Sequence, residues 1–279
     1  MMPDLLLRTP RQWVQYTAER LRAAYEADEA EGLARWVVEE CLGCTRTELL
    51  LSRDERDLPA FDSILNRLLQ HEPIQYIFGR TLWRGLTLRV TPATLIPRPE
   101  TAELVDWALT CYPAESPIRV LDACTGSGCI AIALKRERPQ WQVDALDISA
   151  EALEIAKANA KANANANIRF FRHDLLGDAP LPDYDLIVSN PPYVRLSERA
   201  EMRPEVLDYE PHTALFVPDS DALVFYRALA RLHARTLCVE INEAFPNEIS
   251  RLFLEAGYES VEARADSYGK PRFVCGKRS

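Results

Sequence analysis

From Ile118 to the C-terminus, short segments that read as strands alternate with segments that read as helices. Strands that alternate with helices favour a mostly parallel sheet covered by helices on both faces. Only the short loop 266–271 separates the last two strands, so the final strand should run antiparallel to its neighbours. The predicted strands are 119–124, 142–147, 168–174, 184–190, 236–242, 260–265 and 272–276, and the predicted helices are 128–138, 150–164, 220–233 and 246–256.

Residues 11–71 carry apolar side chains at helical spacing without strand-like alternation, which predicts a small helical bundle. Gly43 is a suitable residue to end its second helix.

Between these two regions the apolar period shortens. Ile77 and Phe78 are followed by apolar pairs around Gly85, which predicts a β-hairpin. A helix should then begin at Glu100 or Thr101. We therefore expect a helical domain over 1–72, a hairpin linker over 73–92 and an α/β domain over 93–279.

The charge and cysteine content narrow the class of protein. The net charge is −9, whereas a dedicated nucleic-acid binder usually carries a basic excess, so we expect no direct nucleic-acid partner. The odd count of seven cysteines suggests reduced thiols and a cytoplasmic location. Cys41-x-x-Cys44 has half of a zinc-site spacing, but no second pair matches it, so no metal is expected. No apolar run reaches the roughly 18 residues of a membrane span, so no membrane association is expected.

A glycine-containing turn follows the first strand of the α/β region. Asp122-Ala123-Cys124-Thr125-Gly126-Ser127-Gly128 ends that strand and opens a helix. Ligands of open α/β sheets bind at the carboxyl ends of strands, and the two glycines allow the backbone to approach a ligand closely. The turn alone is also compatible with a purely structural role.

Two further carboxylates follow the next two strands. Asp147 stands roughly twenty residues after the turn, where a carboxylate accepts both hydroxyls of a ribose. Asp174 follows the third strand and could reach an adenine amino group. Each could alternatively cap a helix, but three such positions on successive strands favour a nucleoside-containing cofactor.

This arrangement resembles the class I S-adenosylmethionine-dependent methyltransferases, whose first motif usually reads D-x-G-x-G-x-G. Cys124 stands where glycine is usual, and its thiol would crowd the donor. No metal or covalent nucleophile is required, because methyl transfer needs mainly positioning. The resemblance implies donor contacts, with S-adenosylhomocysteine as product, from Asp122, Cys124, Thr125, Gly126, Gly128, Asp147, Ile148, Asp174, Leu175 and Asn190.

Asn190-Pro191-Pro192-Tyr193 follows the fourth strand. An amide nitrogen is a poor nucleophile, so catalysis needs two acceptors to hold its N–H groups and aim it at the methyl. The Asn190 side-chain oxygen and the Pro191 carbonyl could be those acceptors, with Tyr193 packed flat on the amide. Pro191 and Pro192 would orient them in advance. The motif is shared by methyltransferases of adenine, cytosine and glutamine amides, and a bare proline-rich turn is the alternative.

Nearly the whole chain resembles the release factor glutamine methyltransferases, the PrmC or HemK family. The motifs that carry the resemblance are 72–79, 94–101, Asn190–Tyr193, 209–215 and 266–272. The resemblance implies methylation, at N5, of the glutamine in the Gly-Gly-Gln loop of class-1 peptide chain release factors by a monomer. The N-terminal domain would hold the release factor. The cleft would be lined by Pro97, Arg98, Glu100, Thr101 and Glu210. Arg98 and Glu100 could instead form a salt bridge and a helix cap, and Glu210 could orient the acceptor loop or be solvated.

Three alternatives remain at this stage. A ribosomal-protein glutamine methyltransferase is closely related. A DNA adenine methyltransferase shares the Asn-Pro-Pro-Tyr motif but would need a basic DNA-reading region. A non-catalytic binding protein of the same fold is favoured only by Cys124, whereas Asp147 and Asn190 are both present.

Overall fold

The computed structural model describes residues 7–163 and 167–278. The chain forms two units, one of Met1–Phe78 with Pro204–Tyr209 and one of Gly79–Arg203 with Glu210–Ser279. Helices and strands are numbered separately in chain order below.

The helical unit is built around apolar faces of short helices. Thr9 begins the first helix with a capping box, and Gly43, at φ 59°, ends the second as the sequence predicted. Trp13, Leu21 and Leu68 lie in its buried core. Its helices are α1 (Pro10–Leu21), α2 (Ala27–Leu42), α3 (Arg46–Leu51), α4 (Phe61–Leu69), α5 (Ile74–Phe78) and α9 (Pro204–Tyr209).

Two features of this unit differ from the sequence prediction. Ile77 and Phe78 belong to α5 and not to a strand, because the Ile77 amide donates to the Pro73 carbonyl in a helical bond. The segment α9 groups with the helices, although the sequence placed it in the α/β domain. The Tyr209 hydroxyl donates to the Gln70 carbonyl (2.8 Å), a pairing across 139 positions that no local pattern reveals.

The α/β unit opens with a hairpin of β1 (Arg80–Trp83) and β2 (Leu86–Arg89), which are antiparallel. Gly85 adopts φ 67° in the tight turn between them. The other elements are α6 (Pro99–Thr110), β3 (Arg119–Ala123), α7 (Cys129–Glu137), β4 (Gln142–Asp147), α8 (Ala150–Asn163), β5 (Ile168–Arg172), β6 (Tyr184–Ser189), β7 (Val194–Arg195), β8 (Phe216–Val217), α10 (Val224–Arg231), β9 (Ala234–Glu240), α11 (Pro246–Glu255), β10 (Ser260–Ala265) and β11 (Pro271–Lys277).

Seven of these strands form one sheet in the order β10-β11-β9-β6-β3-β4-β5. The strand β11 is antiparallel to both neighbours, and β3 pairs in parallel with β4 and β6, which confirms the predicted sheet. The chain moves outward from β3 to one side through β4 and β5, then returns to its other side at β6. The carboxyl ends of β3 and β6 therefore flank a topological switch point, where ligands of such sheets bind.

The predicted elements and the observed ones differ mainly at their ends. The predicted helix 220–233 is shorter, since a 3-10 helix at Asp219–Asp221 precedes α10. The last residue of the predicted helix 150–164 lies outside the described residues. The connection between β6 and α10, which carries β7 and β8, was not predicted.

Candidate active site

A cavity of about 330 Å³ lies at the carboxyl ends of β3, β4 and β6. This volume is in the range of roughly 300–1,000 Å³ that holds small ligands. The predicted site residues on its wall are Pro97, Arg98, Thr101, Cys124, Thr125, Gly126, Asp147, Ile148, Asp174, Leu175, Asn190 and Pro192. Within the described part of the chain, the predicted residues away from this wall are Glu100, Asp122, Gly128, Pro191, Tyr193 and Glu210.

The turn after β3 holds three residues in the left-handed region: Cys124 (φ 61°), Gly126 (φ 54°) and Gly128 (φ 82°). A Cβ at Gly126 would meet no atom within 4 Å, so the backbone here borders open space. A Cβ at Gly128 would lie 3.1 Å from the Ala156 Cβ. Gly128 therefore permits α7 to pack on α8, and its contact with the cofactor stays a prediction.

Asp122 is fully buried and organises the turn from beneath. Its Oδ2 accepts hydrogen bonds from Thr125 Oγ1 (2.5 Å) and from the Ala131 amide (3.0 Å). Burial raises the pKa of the Asp122 carboxyl to about 7. The prediction that Asp122 lies against the cofactor is corrected, because its side chain is directed at the backbone of the turn and of α7.

Each carboxylate oxygen of Asp147, at the end of β4, accepts a hydrogen bond from a backbone amide. Its Oδ2 accepts from Gly126 and its Oδ1 from Ser149, both at 2.9 Å. Burial raises the pKa of this carboxyl, and the backbone amides oppose the shift. Since a carboxylate has about four acceptor positions, each oxygen retains capacity for one further hydroxyl, as a ribose diol requires.

Two large apolar side chains lie on this wall and are still exposed: Ile148 is 50% exposed and Leu176 is 48% exposed. Asp174 is two residues before Leu176, and its Oδ1 accepts from the Leu176 amide (2.9 Å). A flat purine ring would cover the apolar pair. The open face of Gly126, the diol-binding capacity of Asp147 and this apolar pair together fit the nucleoside of S-adenosylmethionine.

Asn190, directly after β6, lies on the same wall with a defined amide orientation. Its Nδ2 donates to Thr101 Oγ1 (3.1 Å) near the start of α6. With the NH₂ group bonded to Thr101, the side-chain carbonyl oxygen is the acceptor that Asn190 can offer to a ligand. Thr101 was predicted only as a residue of the cleft, and the structure makes it the anchor of Asn190.

A buried carboxylate that the sequence analysis did not identify supports this arrangement. Glu240 is 1% exposed at the end of β9, and its Oε2 accepts from Thr101 Oγ1 (2.7 Å). Its Oε1 accepts from the Tyr193 hydroxyl (2.9 Å). Burial raises the pKa of Glu240, and hydrogen bonds from Thr101 and Tyr193 oppose the rise. The sequence signal available for Glu240 was a single carboxylate directly after the apolar run 237–239.

The hydrogen bond to Glu240 holds Tyr193 away from the place predicted for it, which was packed flat on the acceptor amide. Its ring is partly buried against the core and its hydroxyl points to Glu240, so the ring is not on the cavity wall. The Tyr193 backbone carbonyl accepts from Asn242 (3.2 Å), which fixes the segment after Pro192.

Glu210 is buried, at 4% exposure, which excludes the solvated alternative. Its Oε1 accepts from Arg98 (2.7 Å) and its Oε2 from the Ile96 amide (3.2 Å). Burial raises the pKa of Glu210, and the Arg98 guanidinium opposes the rise. The ion pair therefore ties the Ile96–Arg98 loop to Glu210, and Arg98 itself still borders the cavity. Glu100 lies in the first turn of α6.

Three thiols, those of Cys111, Cys238 and Cys275, lie within 4.8 Å of one another. Two of them are buried and belong to the main apolar core. Burial raises the pKa of Cys238, which favours the protonated thiol and a packing role.

Comparisons with known proteins decide the family. A model of the PrmC N-terminal domain matches residues 12–79, and a model of the Methyltransferase small domain matches 108–206. The chain is 40% identical over 278 residues to a protein from Bacteroides thetaiotaomicron named release factor glutamine methyltransferase, covering 94% of this chain and 98% of the relative. The chain belongs to the release factor glutamine methyltransferase family.

Further similarities agree with this family. A protein of the same name from Flavobacterium psychrophilum is 37% identical over 270 residues, covering 92% of this chain and 94% of the relative. The crystal structure of a methyltransferase from Pyrococcus furiosus shares the fold, with a TM-score of 0.50 at 18% identity over 79% of this chain and 99% of that one. The predicted class I methyltransferase fold and family are thus confirmed, and the protein is an S-adenosylmethionine-dependent methyltransferase.

Among the helices of residues 7–163 and 167–278, none combines the length and apolar character needed to cross a membrane.

Proposed function

We propose that this protein transfers a methyl group from S-adenosylmethionine to the N5 side-chain amide nitrogen of the glutamine in the Gly-Gly-Gln loop of class-1 release factors. The names of relatives that align over nearly the whole chain support this substrate. The observation that carries the chemistry is the hydrogen bond from Asn190 to Thr101, because an Asn190 whose NH₂ group is bonded to Thr101 can offer its carbonyl oxygen to a substrate N–H. The N-terminal helical unit is proposed to recognise the release factor.

The residues of the donor side are proposed to hold the nucleoside. Asp147 would accept the two ribose hydroxyls while it retains its bonds to Gly126 and Ser149. Ile148 and Leu176 would cover the adenine, and Asp174 would accept from its amino group. S-adenosylmethionine supplies a methyl group on a positively charged sulfur, which makes that methyl electrophilic.

The residues of the acceptor side are proposed to orient the glutamine. Its amide nitrogen is weakly nucleophilic because the lone pair is delocalised into the carbonyl. Asn190 Oδ1 would accept one N–H of the substrate. The carbonyl of Pro191, which is not itself on the cavity wall but lies between the wall residues Asn190 and Pro192, would accept the other, which aims the nitrogen and stabilises the charge that develops on it. Pro191 and Pro192 restrict the backbone, so these acceptors are oriented before the substrate arrives. The nitrogen would then lose one proton through these acceptors to solvent.

The test is to incubate the purified protein with S-adenosylmethionine and its host's class-1 release factor, and to map added mass by peptide mass spectrometry. We expect one methyl group on the glutamine of the Gly-Gly-Gln loop. A release factor with alanine in place of that glutamine is the matched control and should remain unmodified.

Parallel reactions with ribosomal proteins and with an adenine-containing DNA duplex test the other acceptors. Methylation of a ribosomal-protein glutamine, with the release factor unmodified, would assign the protein to the alternative substrate. Donor binding without transfer to any of these acceptors would refute the proposed function and leave the fold assignment intact.

A further inference from the structure

The acceptor side contains a continuous chain of hydrogen bonds that begins at Asn190 and ends at Tyr193. Asn190 donates to Thr101 (3.1 Å), Thr101 donates to Glu240 (2.7 Å), and Tyr193 donates to the other oxygen of Glu240 (2.9 Å). Of the four side chains, Asn190 alone lies both on the cavity wall and directly after β6, where the acceptor nitrogen would be bound.

We infer that Glu240 is a positioning residue that sets the hydrogen-bond polarity of the acceptor pocket, so that the pocket selects an amide NH₂ over a carboxylate. The inference rests on the function proposed above and deepens it. Glu240 acts through Thr101 on Asn190 and does not itself touch the substrate.

The polarity follows from the direction of each hydrogen bond. Glu240 Oε2 accepts from the Thr101 hydroxyl at 2.7 Å, so Thr101 gives its single proton to Glu240. The Thr101 oxygen can then only accept from Asn190, which must turn its NH₂ group toward Thr101. The Asn190 carbonyl oxygen is consequently left for the cavity, where it can accept from a substrate N–H.

The hydrogen bond between Thr101 and Glu240 is buried, so water does not compete for its donor and acceptor. Thr101 is 2% exposed and Glu240 is 1% exposed. The Tyr193 hydroxyl occupies the second oxygen of Glu240, which fixes the rotation of the carboxylate. Arg272 is the neighbouring cation that favours the charged form of Glu240, and Glu100 is a neighbouring carboxylate that opposes it.

The consequence concerns which side chain the pocket accepts. A glutamine presents two N–H donors, which match the Asn190 oxygen and the Pro191 carbonyl. A glutamate carboxylate presents only acceptors and would be repelled by both. A site built to hydrogen-bond an NH group can reject an analogue that lacks it by about 10⁴-fold, because its polar groups are then left unpaired.

The first experiment compares variants that change the polarity with variants that keep it. Glu240→Gln replaces one acceptor by a donor, so the single remaining oxygen can serve only one of the two hydroxyls and the hydrogen-bond direction at Thr101 is no longer fixed. Thr101→Val removes the relay, the hydroxyl that links Asn190 to Glu240. Thr101→Ser and Tyr193→Phe both keep a hydroxyl at position 101 that can donate to Glu240 and accept from Asn190. For each protein, the affinity for the release factor is compared with that for a release factor carrying glutamate in place of the glutamine.

We expect the preference for glutamine over glutamate to fall by about 10-fold or more in Glu240→Gln and Thr101→Val. The preference should be kept in Thr101→Ser and Tyr193→Phe, whatever happens to their turnover. Binding of S-adenosylmethionine should stay within about 2-fold of wild type in all four, since the relay lies on the acceptor side. An unchanged preference in both polarity variants would overturn the inference, and so would an equal loss of donor binding.

A second measurement needs no substrate. The side-chain amide signal of Asn190 in a ¹⁵N-correlation spectrum, assigned by its disappearance in Asn190→Ala, reports whether the NH₂ group donates to Thr101. We expect this signal to shift in Glu240→Gln and Thr101→Val and to stay in place in Thr101→Ser. If wild type fails to methylate the release factor, the proposed function fails, while an unshifted Asn190 signal in both polarity variants separately refutes the relay.

Discussion

The donor side and the acceptor side of the cavity are built over very different distances along the chain. On the donor side, Asp122 bonds Thr125 three positions away, and Asp147 bonds Ser149 two positions away and Gly126 twenty-one positions away. On the acceptor side, the bond between Asn190 and Thr101 spans 89 positions, and that between Thr101 and Glu240 spans 139.

The difference shows that the two halves of the site depend on different parts of the fold. A turn with its own glycines and a carboxylate on the adjacent strand is sufficient to shape the donor side. The acceptor side forms only when α6, β6 and β9 lie next to one another in the finished sheet. Substitutions on one side should therefore leave the function of the other side largely intact.

The largest effect is expected from Asn190→Ala. Removal of the amide oxygen should lower kcat by a factor on the order of 10²–10³, by analogy with the loss of one preorganised polar contact to a developing charge. Binding of S-adenosylmethionine, measured by calorimetry, should change little. Asn163→Ala, in the same unit but bonded to the Thr87 carbonyl, is the control.

A loss of donor affinity equal to the loss of turnover in Asn190→Ala would break the comparison, because the two sides would then act as one site.

Asp147→Ala should produce the opposite pattern. The variant loses a charged acceptor for two hydroxyls and two backbone amides, and hydrogen bonds to charged groups contribute about 1.5–3 kcal/mol each. We expect donor affinity to fall by about 10²-fold, the lower end of what two such bonds to the ribose supply, with kcat at saturating donor much less affected. Titration with S-adenosylhomocysteine measures this change.

The exposed carboxylate Asp178 offers a matched control, since Asp178→Ala removes the same charge from the same unit. Tight donor binding by Asp147→Ala would show that the apolar wall alone holds the nucleoside.

Asp122→Asn tests the donor side through the pH dependence of stability. Burial raises the folded-state pKa of Asp122 to about 7, against about 3.9 in the unfolded chain. A raised pKa means that the carboxyl contributes stability below about pH 3.9, and that this contribution is lost as pH rises through about 7. The Tm of wild type should therefore contain a downward contribution between about pH 4 and pH 7 that Asp122→Asn lacks.

Thermal unfolding of both proteins across this range measures the difference. Identical pH profiles would show that the bonds from Thr125 and Ala131 keep Asp122 ionised throughout.

Cys124→Gly should have the smallest effect. A non-glycine residue in the left-handed region costs about 1–2 kcal/mol, whereas glycine adds about 0.5–1 kcal/mol of unfolded-state entropy. The net gain in the free energy of unfolding should be about 1 kcal/mol or less. Donor affinity should stay equal or become tighter, since the thiol borders the cavity. Weaker donor binding would mean that the thiol contacts the donor favourably.

The strands and helices of the α/β unit were predictable because their hydrophobic periodicity is local. The strands β4 and β10 match the predicted limits, and the antiparallel β11 followed from a loop too short for a crossover. Errors came where a contact distant in sequence decides the structure. The segment α9, for example, joined the helical unit, where Tyr209 bonds Gln70. A different error concerns Asp122, which the family resemblance placed against the cofactor and whose side chain instead bonds Thr125 and Ala131, three and nine positions away.

The sequence by itself determined the class of fold, the donor turn and the presence of Asn190 after β6, because each is encoded by neighbouring residues whose spacing has one physical meaning. Only the tertiary structure decided which way the Asn190 amide faces. That direction depends on Thr101 and Glu240, which the order of the strands brings within hydrogen-bond distance across 139 positions. A hydrogen bond has a donor and an acceptor end. The direction of the hydrogen bonds from Asn190 through Thr101 is set by the buried carboxylate of Glu240, which no local pattern connects to the acceptor motif.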